Sequence, residues 1–166
     1  FSTELLNECI KDANKQKKSG IAVVSSDKVK GFLTDKKFFL KHGFETVDTA
    51  EPYFELLALQ IDKKAETPRF SAQSKTGLYK NKKGLTFIYS HQCPFMEEYV
   101  GLLSQVASEL NITTKIIQLK SSQQAQEQGS PFGTLGIYYN GQFLTHELMT
   151  EVKFRKLIQE MQDQIS

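Results

Sequence analysis

One cysteine of this sequence stands where thiol chemistry is common in proteins, at a predicted junction between a strand and a helix. The apolar run at 85–89 predicts a strand, and Cys93 follows it with Pro94 at the expected first position of the next helix. The backbone N–H groups at a helix start stabilise a thiolate, whereas Glu97 and Glu98 one turn further on oppose ionisation. A reactive Cys93 and a structural Cys93 therefore both remain open.

The residues around Cys93 limit the redox chemistry that it can do. The position at which a dithiol motif places its second cysteine is Met96, so we expect no internal disulfide. A mixed disulfide at Cys93 would have to be resolved by an outside thiol. His91 is close enough in sequence to assist the thiol, but a surface loop is the more common place for such a histidine. Cys9 falls on the apolar side of a predicted helix, where we expect an inert core residue.

Composition places the chain among ordinary globular proteins and excludes several classes. Of its 166 residues, 39% are hydrophobic and 24% are charged, with a net charge of +2, which argues against wholesale disorder and fibrous sequence. No apolar run approaches the roughly 18–20 residues of a membrane-spanning helix, and the first ten residues do not form a secretory signal. Two cysteines are too few for a disulfide scaffold, so we expect a cytoplasmic protein with no membrane partner. The three histidines have no metal-ligand spacing, and we predict no metal site.

Basic residues concentrate in the middle of the chain. Residues 62–84 carry seven Lys or Arg and two acids, a pattern that can contact nucleic acid but is also typical of a solvated linker. We favour the linker and predict no nucleic-acid partner. Because the stretch also lacks apolar periodicity, it is expected to be loosely packed and sensitive to proteases.

Residues 1–61 predict a helix, a strand, a second helix and two further strands. The first helix has one apolar stripe, made of Leu5, Leu6, Cys9, Ile10 and Ala13. The β-branched run at 21–24 and the pattern at 53–61 predict strands. Thr34 is the expected N-cap of the second helix, and Gly43 is its expected left-handed end.

Residues 85–166 predict a complete βαβαββα unit. Its expected elements are a strand at 85–89, a helix at 93–110, a strand at 112–119, a short helix at 121–128, strands at 135–139 and 142–145, and a helix after Thr150. Asn140-Gly141 between the last two strands is a strong signal for a type I′ hairpin. The last helix has an apolar stripe of Val152, Phe154, Leu157, Ile158, Met161 and Ile165. We therefore predict an α/β (α+β) chain in three parts, 1–61, 62–84 and 85–166.

Three stretches of the first part point to a family. They are Phe1-Ser2-Thr3-Glu4-Leu5-Leu6, the residues at 20–25, and Phe38-Phe39-Leu40-Lys41-His42-Gly43-Phe44. Together they resemble the C-terminal half of a GNAT-family N-acetyltransferase. In that family a glycine-rich loop leads into a helix whose N-terminal amides hold the pyrophosphate of acetyl-CoA. The sequence has no such loop ahead of Ser2, so we expect a partial GNAT fold within a truncated or processed piece.

The combination of the two parts is more specific than either part alone. The first part ends with Pro52-Tyr53-Phe54-Glu55-Leu56-Leu57, and the second begins with Tyr89-Ser90-His91-Gln92-Cys93-Pro94-Phe95. With the basic linker between them, these stretches resemble YoaP-like acetyltransferases, which carry a small domain after the GNAT domain. The second part is similar to thioredoxin-like domains in its order of elements. It departs from them in lacking the second cysteine, and Gly133 stands where they have a cis-proline.

The resemblance implies transfer of an acetyl group from acetyl-CoA to the amine of a small molecule or peptide. Ser2 and Thr3 would contact the phosphates of acetyl-CoA. Phe39 stands where many GNAT enzymes have a tyrosine that protonates the departing CoA thiolate, which a phenylalanine cannot do. It either packs against the pantetheine arm or belongs to the core. We expect these residues alone to be inactive, and the acceptor amine and oligomeric state stay open.

Two functions from other classes also remain open. In the first, the chain is a thiol-dependent module whose Cys93 exchanges with a partner thiol or with glutathione. In the second, the region around Cys93 binds a substrate or a partner protein without catalysis. Acetyl-CoA binding separates acetyl transfer from both alternatives, and the alkylation kinetics of Cys93 separate the two alternatives from each other.

Overall fold

The computed structural model describes residues 2–163 and arranges them in two β-sheets with helices. The first part contains α1 (Ser2–Lys15), β1 (Gly20–Ser26), α2 (Lys36–Lys41), β2 (Glu45–Ala50) and β3 (Phe54–Gln60). A single 3₁₀ turn (Gln73–Lys75) precedes β4 (Leu85–Tyr89), α3 (Met96–Glu109), β5 (Thr114–Gln118), α4 (Ser122–Gln126), β6 (Leu135–Tyr139), β7 (Gln142–Thr145) and α5 (Glu151–Asp163). The predicted α+β class is confirmed. Among residues 2–163, no helix has the length and apolar character needed to cross a membrane.

The first sheet is antiparallel and has the strand order β1-β3-β2. Side chains alternate along its strands, so Val23, Leu57 and Leu59 lie on one face. Helices α1 and α2 cover that face, and Leu6 and Phe44 pack into it with the fully buried Leu57. This small apolar cluster fixes both helices on the sheet.

The apolar stripe of α1 is narrower than predicted. Leu6, Ile10 and Ala13 recur at the i, i+4, i+7 spacing of one helix face, and they lie towards the sheet. Cys9 is exposed and Leu5 is 53% exposed, because positions 5 and 9 fall on the flank of that face. The prediction that Cys9 is a core residue is therefore wrong.

Helix α2 begins one residue later than predicted. Its N-cap is Asp35, whose carboxylate accepts a hydrogen bond from the N–H of Lys37 at 2.9 Å, and not Thr34. Thr34 instead accepts a hydrogen bond at its carbonyl from the Ser25 hydroxyl, at 2.6 Å. Gly43 has φ +85°, which confirms it as the left-handed residue after the helix.

The second sheet has the order β5-β4-β6-β7, in which β4 and β5 are parallel and the other pairs antiparallel. Helices α3 and α5 pack together on one face of it. The core between helices and sheet includes Leu85, Phe87, Val100, Leu103, Leu135, Ile137, Phe154 and Ile158, each at most 1% exposed. The predicted βαβαββα order is confirmed.

The hairpin turn and the helix cap predicted for the second part are both present in the structure. Asn140 and Gly141 have φ +50° and +83°, the two positive values that a type I′ hairpin requires. Thr150 accepts a hydrogen bond at its hydroxyl from the N–H of Lys153, at 3.4 Å, at the start of α5. Ile165, which was assigned to the stripe of this helix, lies outside the described residues.

The segment that connects the two parts, residues 62–84, is held to the first sheet by Asp48 of β2. The Asp48 carboxylate accepts hydrogen bonds from the N–H of Phe70 at 2.9 Å and from Nζ of Lys75 at 2.5 Å. Burial acts to raise the pKa of Asp48, but these bonds outweigh it and the net shift is downward. The segment is thus anchored by a carboxylate that is ionised at neutral pH.

The same segment is held to the second part by its later residues. The N–H of Tyr79 donates to the carbonyl of Gly141 at 2.7 Å, and Leu78 forms an antiparallel bridge with Gln142. The expectation of loose packing is therefore wrong: the segment crosses from one sheet to the other with its backbone bonded at both ends. The division of the chain into domains at these residues stays a prediction.

Limited trypsin digestion should cut this segment first at Lys63, Lys64 or Arg69, which are exposed. We expect the lysines within 79–84 to be cut later, because both ends of that stretch hydrogen-bond to the β6–β7 hairpin. Mass spectrometry of the first fragments identifies the site. A first cut within 79–84, or inside α3, would contradict this assignment.

Candidate functional site

The turn between β4 and α3 carries Cys93. Residues 90–95 are fixed at both ends, because the N–H of Ser90 donates to the carbonyl of Thr134 at 3.0 Å and the N–H of Met96 donates to the carbonyl of Cys93 at 3.2 Å. Helix α3 consequently begins at Met96, three residues later than predicted, and Cys93 lies in the turn before it. The Cys93 side chain is partly buried and packs against the core of the second part.

A cavity of about 290 Å³ opens beside this cysteine, and we call it the Cys93 cavity. It is lined by Phe32, Gln92, Cys93, Met96, Phe132, Thr134, Leu135, His146 and Leu148. Most of these side chains are apolar, so the cavity suits an apolar group next to a thiol. Phe32 comes from the loop after β1, which means that both parts of the chain build the wall.

His146 ties the wall of the Cys93 cavity to the first part. A carbonyl can only accept, so the His146 Nε2–H donates to the carbonyl of Gly31 at 3.0 Å. Its Nδ1 then accepts from the Tyr53 hydroxyl at 2.7 Å. The ring also lies against Phe132, with centroids 4.5 Å apart. Because both ring nitrogens are engaged, His146 acts as a structural bridge and not as a base for the thiol.

The electrostatics of this junction keep His146 and Tyr53 uncharged near neutral pH. Burial lowers the pKa of His146 below its ordinary value, assisted by Lys30 and opposed by the Gly31 carbonyl and the Glu147 carboxylate. Burial also raises the pKa of Tyr53, and Glu147 adds to that shift. Imidazole and phenol are therefore both neutral, which matches the donor and acceptor roles assigned to them.

His91 belongs to the surface beside this site. Its ring nitrogens lie 2.9 and 3.1 Å from Nε2 of Gln118, and its Nε2 lies 3.4 Å from the Glu97 carboxylate. Within residues 2–163, no hydrogen bond connects His91 with Cys93. The histidine thus occupies the exposed position expected of a loop residue.

The residues predicted to contact acetyl-CoA lie in the first part of the chain, around the start of α1. Ser2 and Thr3 are exposed in its first turn. The Thr3 hydroxyl lies 3.2 Å from Nε2 of His42, whose Nδ1–H donates to the carbonyl of Phe38 at 2.7 Å. The two helices α1 and α2 therefore meet at this point through a threonine and a histidine.

Phe39 lies inside the aromatic cluster of the first part. Its ring makes edge contacts with Phe38 and Phe44, with centroids 5.2 and 5.0 Å apart, and its side chain is partly buried. This packing gives Phe39 a core role. Contact with a pantetheine arm stays a prediction.

Sequence reasoning missed His146 and Phe32, the two residues that make the Cys93 cavity a joint product of both parts. The sequence gives no sign of the contacts of His146, because its partners Tyr53 and Gly31 lie 93 and 115 residues away along the chain. No periodicity or motif marks contacts at such separations. Within residues 2–163, no group of three or more His, Cys, Asp or Glu side chains can hold a metal ion.

Comparisons with known proteins support the resemblance. A sequence model of the YoaP-like family matches residues 114–156. The chain is 36% identical over 154 residues to a protein of Bacillus subtilis (strain 168) named "Uncharacterized N-acetyltransferase YoaP", a match that covers 93% of this chain. The match covers 61% of the length of that relative. No solved structure matches the chain.

Proposed function

We propose that this chain is part of a GNAT-type N-acetyltransferase that transfers acetyl from acetyl-CoA to an amine, with a thioredoxin-like accessory domain after the GNAT portion. The observation that carries the proposal is the 36% identity to a relative that is named as an N-acetyltransferase. Because the match covers 93% of this chain, it includes both sheets. A relation limited to the accessory part would not give that coverage.

The proposed reaction is direct transfer. The free amine attacks the thioester carbonyl carbon, the carbon–sulfur bond breaks, and CoA leaves as a thiolate while the amine loses a proton. Phe39 has no proton to give and packs between Phe38 and Phe44, so we propose that solvent supplies the proton to the thiolate. The chain's own contribution is then to bind and orient acetyl-CoA.

The start of α1 is the proposed contact for the phosphates. A helix of 14 residues presents unpaired N–H groups and the positive end of its dipole there, next to the exposed Ser2 and Thr3. Glu4 in the same turn adds a negative charge that opposes an anion. We therefore expect these residues to supply one part of the binding and to need further phosphate donors.

Calorimetric titration tests whether the start of α1 supplies only part of the phosphate binding. Acetyl-CoA should bind residues 1–166 alone with a dissociation constant no lower than about 1 mM, a free energy of about −4 kcal/mol, because this sequence has no glycine-rich phosphate loop. The protein obtained by joining this chain to the part of the Bacillus subtilis relative that the match leaves out should acetylate primary amines, with product read by mass spectrometry. Absence of product from that protein and from the relative would overturn the proposal.

Variants of the joined protein test the α1 contact. Ser2→Ala with Thr3→Ala should raise the KM for acetyl-CoA and leave kcat nearly unchanged, because phosphate contacts bind substrate and transition state alike. Thr113→Ala is the matched control, since Thr113 is also exposed but belongs to the second part. An equal KM for both variants would remove Ser2 and Thr3 from the site.

A second candidate function is thiol exchange at Cys93, because this cysteine is free and lines a cavity that a partner can enter. The Cys93 thiolate would attack a partner disulfide and form a mixed disulfide, and the partner's other sulfur would leave as a thiolate. Met96 holds the place of a resolving cysteine, so glutathione or another external thiol would have to release Cys93. Non-catalytic binding at the same cavity remains the alternative.

Alkylation rates distinguish thiol exchange from simple binding. We expect iodoacetamide to modify Cys93 (in Cys9→Ser) several-fold more slowly than Cys9 (in Cys93→Ser), because Cys93 is partly buried and Cys9 is exposed. That result would favour the binding function. If Cys93 reacts faster than Cys9, the turn activates the thiol and thiol exchange becomes the better account.

A further inference from the structure

The second sheet has a cavity on the face opposite α3 and α5. Its volume is about 630 Å³, and its floor is formed by Ile88, Ile117 and Leu119. Ile88 and Ile117 are paired in the parallel ladder of β4 and β5, so they project from the same face of the sheet. The core residues Leu85 and Phe87 face α3 and α5. The cavity is thus separate from the Cys93 cavity, which shares none of its lining residues.

One wall of this cavity contains the buried amide of Gln128. Gln128 follows α4 and is 2% exposed, and its Nε2 donates to the carbonyl of Phe132 at 3.1 Å. Its Oε1 has no hydrogen-bond partner among residues 2–163. A Cβ at Gly136 of β6 would lie 3.4 Å from that oxygen and 3.5 Å from the hydroxyl oxygen of Tyr138. Both oxygens are closed to solvent, so the Gln128 amide forms part of the cavity wall and offers no acceptor to a ligand.

The same cavity has an excess of positive charge. Lys80 and Lys115 line it, and neither has an ion-pair partner in the part of the chain that the structure describes. Glu127 also lines it, and its carboxylate accepts a hydrogen bond from Nε2 of Gln123 at 3.0 Å. Two lysines against one carboxylate favour an anionic occupant.

We propose that this cavity binds a small organic carboxylate that has an apolar body. The apolar body covers Ile117 and Leu119, and the carboxylate meets Lys80 and Lys115. An N-acylated apolar amino acid has both features. The volume lies within the range of about 300–1,000 Å³ that small-molecule sites occupy. Binding here requires no acetyl transfer, so this proposal and the proposed function can fail independently.

Fluorescence titration with N-acetyl-L-tryptophan tests the proposal on the chain of 166 residues. The protein has no tryptophan, so the probe's indole emission is free of protein background. We expect saturable binding at one site, with N-acetyl-L-tryptophanamide, which lacks the carboxylate, about tenfold weaker. Equal affinities for the acid and the amide would overturn the assignment of the lysines.

Three variants place the site. Lys115→Met should reduce the preference for the acid over the amide, whereas Lys83→Met, at an exposed lysine outside the cavity, should leave it unchanged. Ile117→Phe should fill the floor and abolish binding of both probes, with circular dichroism showing that the fold is retained. Binding that survives Ile117→Phe in a folded protein, or no binding to the unmodified chain at millimolar probe, would overturn the proposal.

Discussion

Replacing Gly129 with alanine should destabilise the protein strongly, by at least the upper end of the about 1–3 kcal/mol typical of overpacking. A Cβ on this buried residue would lie 2.0 Å from the carbonyl oxygen of Leu78 and 2.6 Å from its carbon. The obstacle is backbone, which cannot rotate away as a side chain can. Leu78 is itself held by its bridge to Gln142. The added methyl group would therefore push the connecting segment off the second part.

Thermal unfolding followed by circular dichroism measures this effect, with an expected loss of about 6–12 °C in melting temperature for a chain of this size. Gly101→Ala is the matched control, because Gly101 lies within α3 and its added Cβ would meet no atom within 4 Å apart from its chain neighbours and the backbone of that helix. There alanine should stabilise the helix by up to about 1 kcal/mol. Trypsin should also cut the connecting segment of Gly129→Ala at lysines that are protected in the unmodified protein. Equal melting temperatures for the two variants would show that the segment is not closely packed.

The second part could be predicted from the sequence because its signals are local. Alternating and helical periodicities mark the elements, and Asn140-Gly141 and Thr150 fix a hairpin and a helix start by chemistry within a few residues. The sequence predicts too early a start for α3, because Pro94 fits the first position of a helix. A turn closed by the Met96 N–H and the Cys93 carbonyl delays the helix.

The first part and its connection to the second were predicted less well. The predicted apolar stripe of α1 includes Leu5 and Cys9, which are exposed in the structure. Apolar residues on the flank of a helix cannot be distinguished in sequence from those on its buried face. Residues 62–84 are polar and carry no periodicity, so they resemble a free linker. Their order comes from single hydrogen bonds to distant groups, Asp48 and Gly141 among them, which composition does not encode.

The candidate site also has a part that is predictable from the sequence and a part that is not. The strand, the turn after it and the position of Cys93 in that turn are determined by adjacent residues and could be predicted. The Cys93 cavity could not, because its wall requires Phe32 and His146 to meet across the two parts. Phe32 has φ +64°, a conformation that sequence alone does not suggest for a bulky residue. The Gly31 carbonyl bonded to His146 helps to hold that loop in place.

His146→Ala should reduce the free energy of unfolding by about 3–5 kcal/mol at pH 7.5, the range for removing a large buried side chain. The substitution leaves the Gly31 carbonyl and the Tyr53 hydroxyl without their partner, in addition to the lost ring contact with Phe132. Urea unfolding measures the change. Tyr53→Phe keeps the ring and removes one bond, so it should cost only about 1 kcal/mol. His91→Ala, at an exposed histidine, should stay within about 0.5 kcal/mol of the unmodified protein.

The pH dependence of stability separates the bridging role of His146 from simple packing. Its pKa is lowered in the folded state, chiefly by burial, so the unfolded chain binds a proton more readily than the folded one. The contribution of His146 is therefore complete above the unfolded pKa of about 6.5 and is lost as pH falls towards the folded pKa, by at most about 1.4 kcal/mol per pH unit. Asp48, whose folded pKa is also lowered, loses its contribution only below the ordinary carboxyl pKa of about 4, outside this window.

Unfolding curves between pH 7.5 and 5 should thus show the unmodified protein losing stability faster than His146→Ala. His42, His91, Lys30 and Glu147 are present in both proteins, so their own effects on stability cancel in the comparison. Lys30 and Glu147 face the imidazole with opposite charges. Parallel pH profiles for the two proteins would mean that the folded and unfolded chains bind a proton at His146 equally readily, so burial would not lower its pKa. If the unmodified protein instead gained stability relative to His146→Ala as pH falls, His146 would be protonated in the folded state at neutral pH, and the hydrogen bond between Tyr53 and Nδ1 would have to run in the opposite direction.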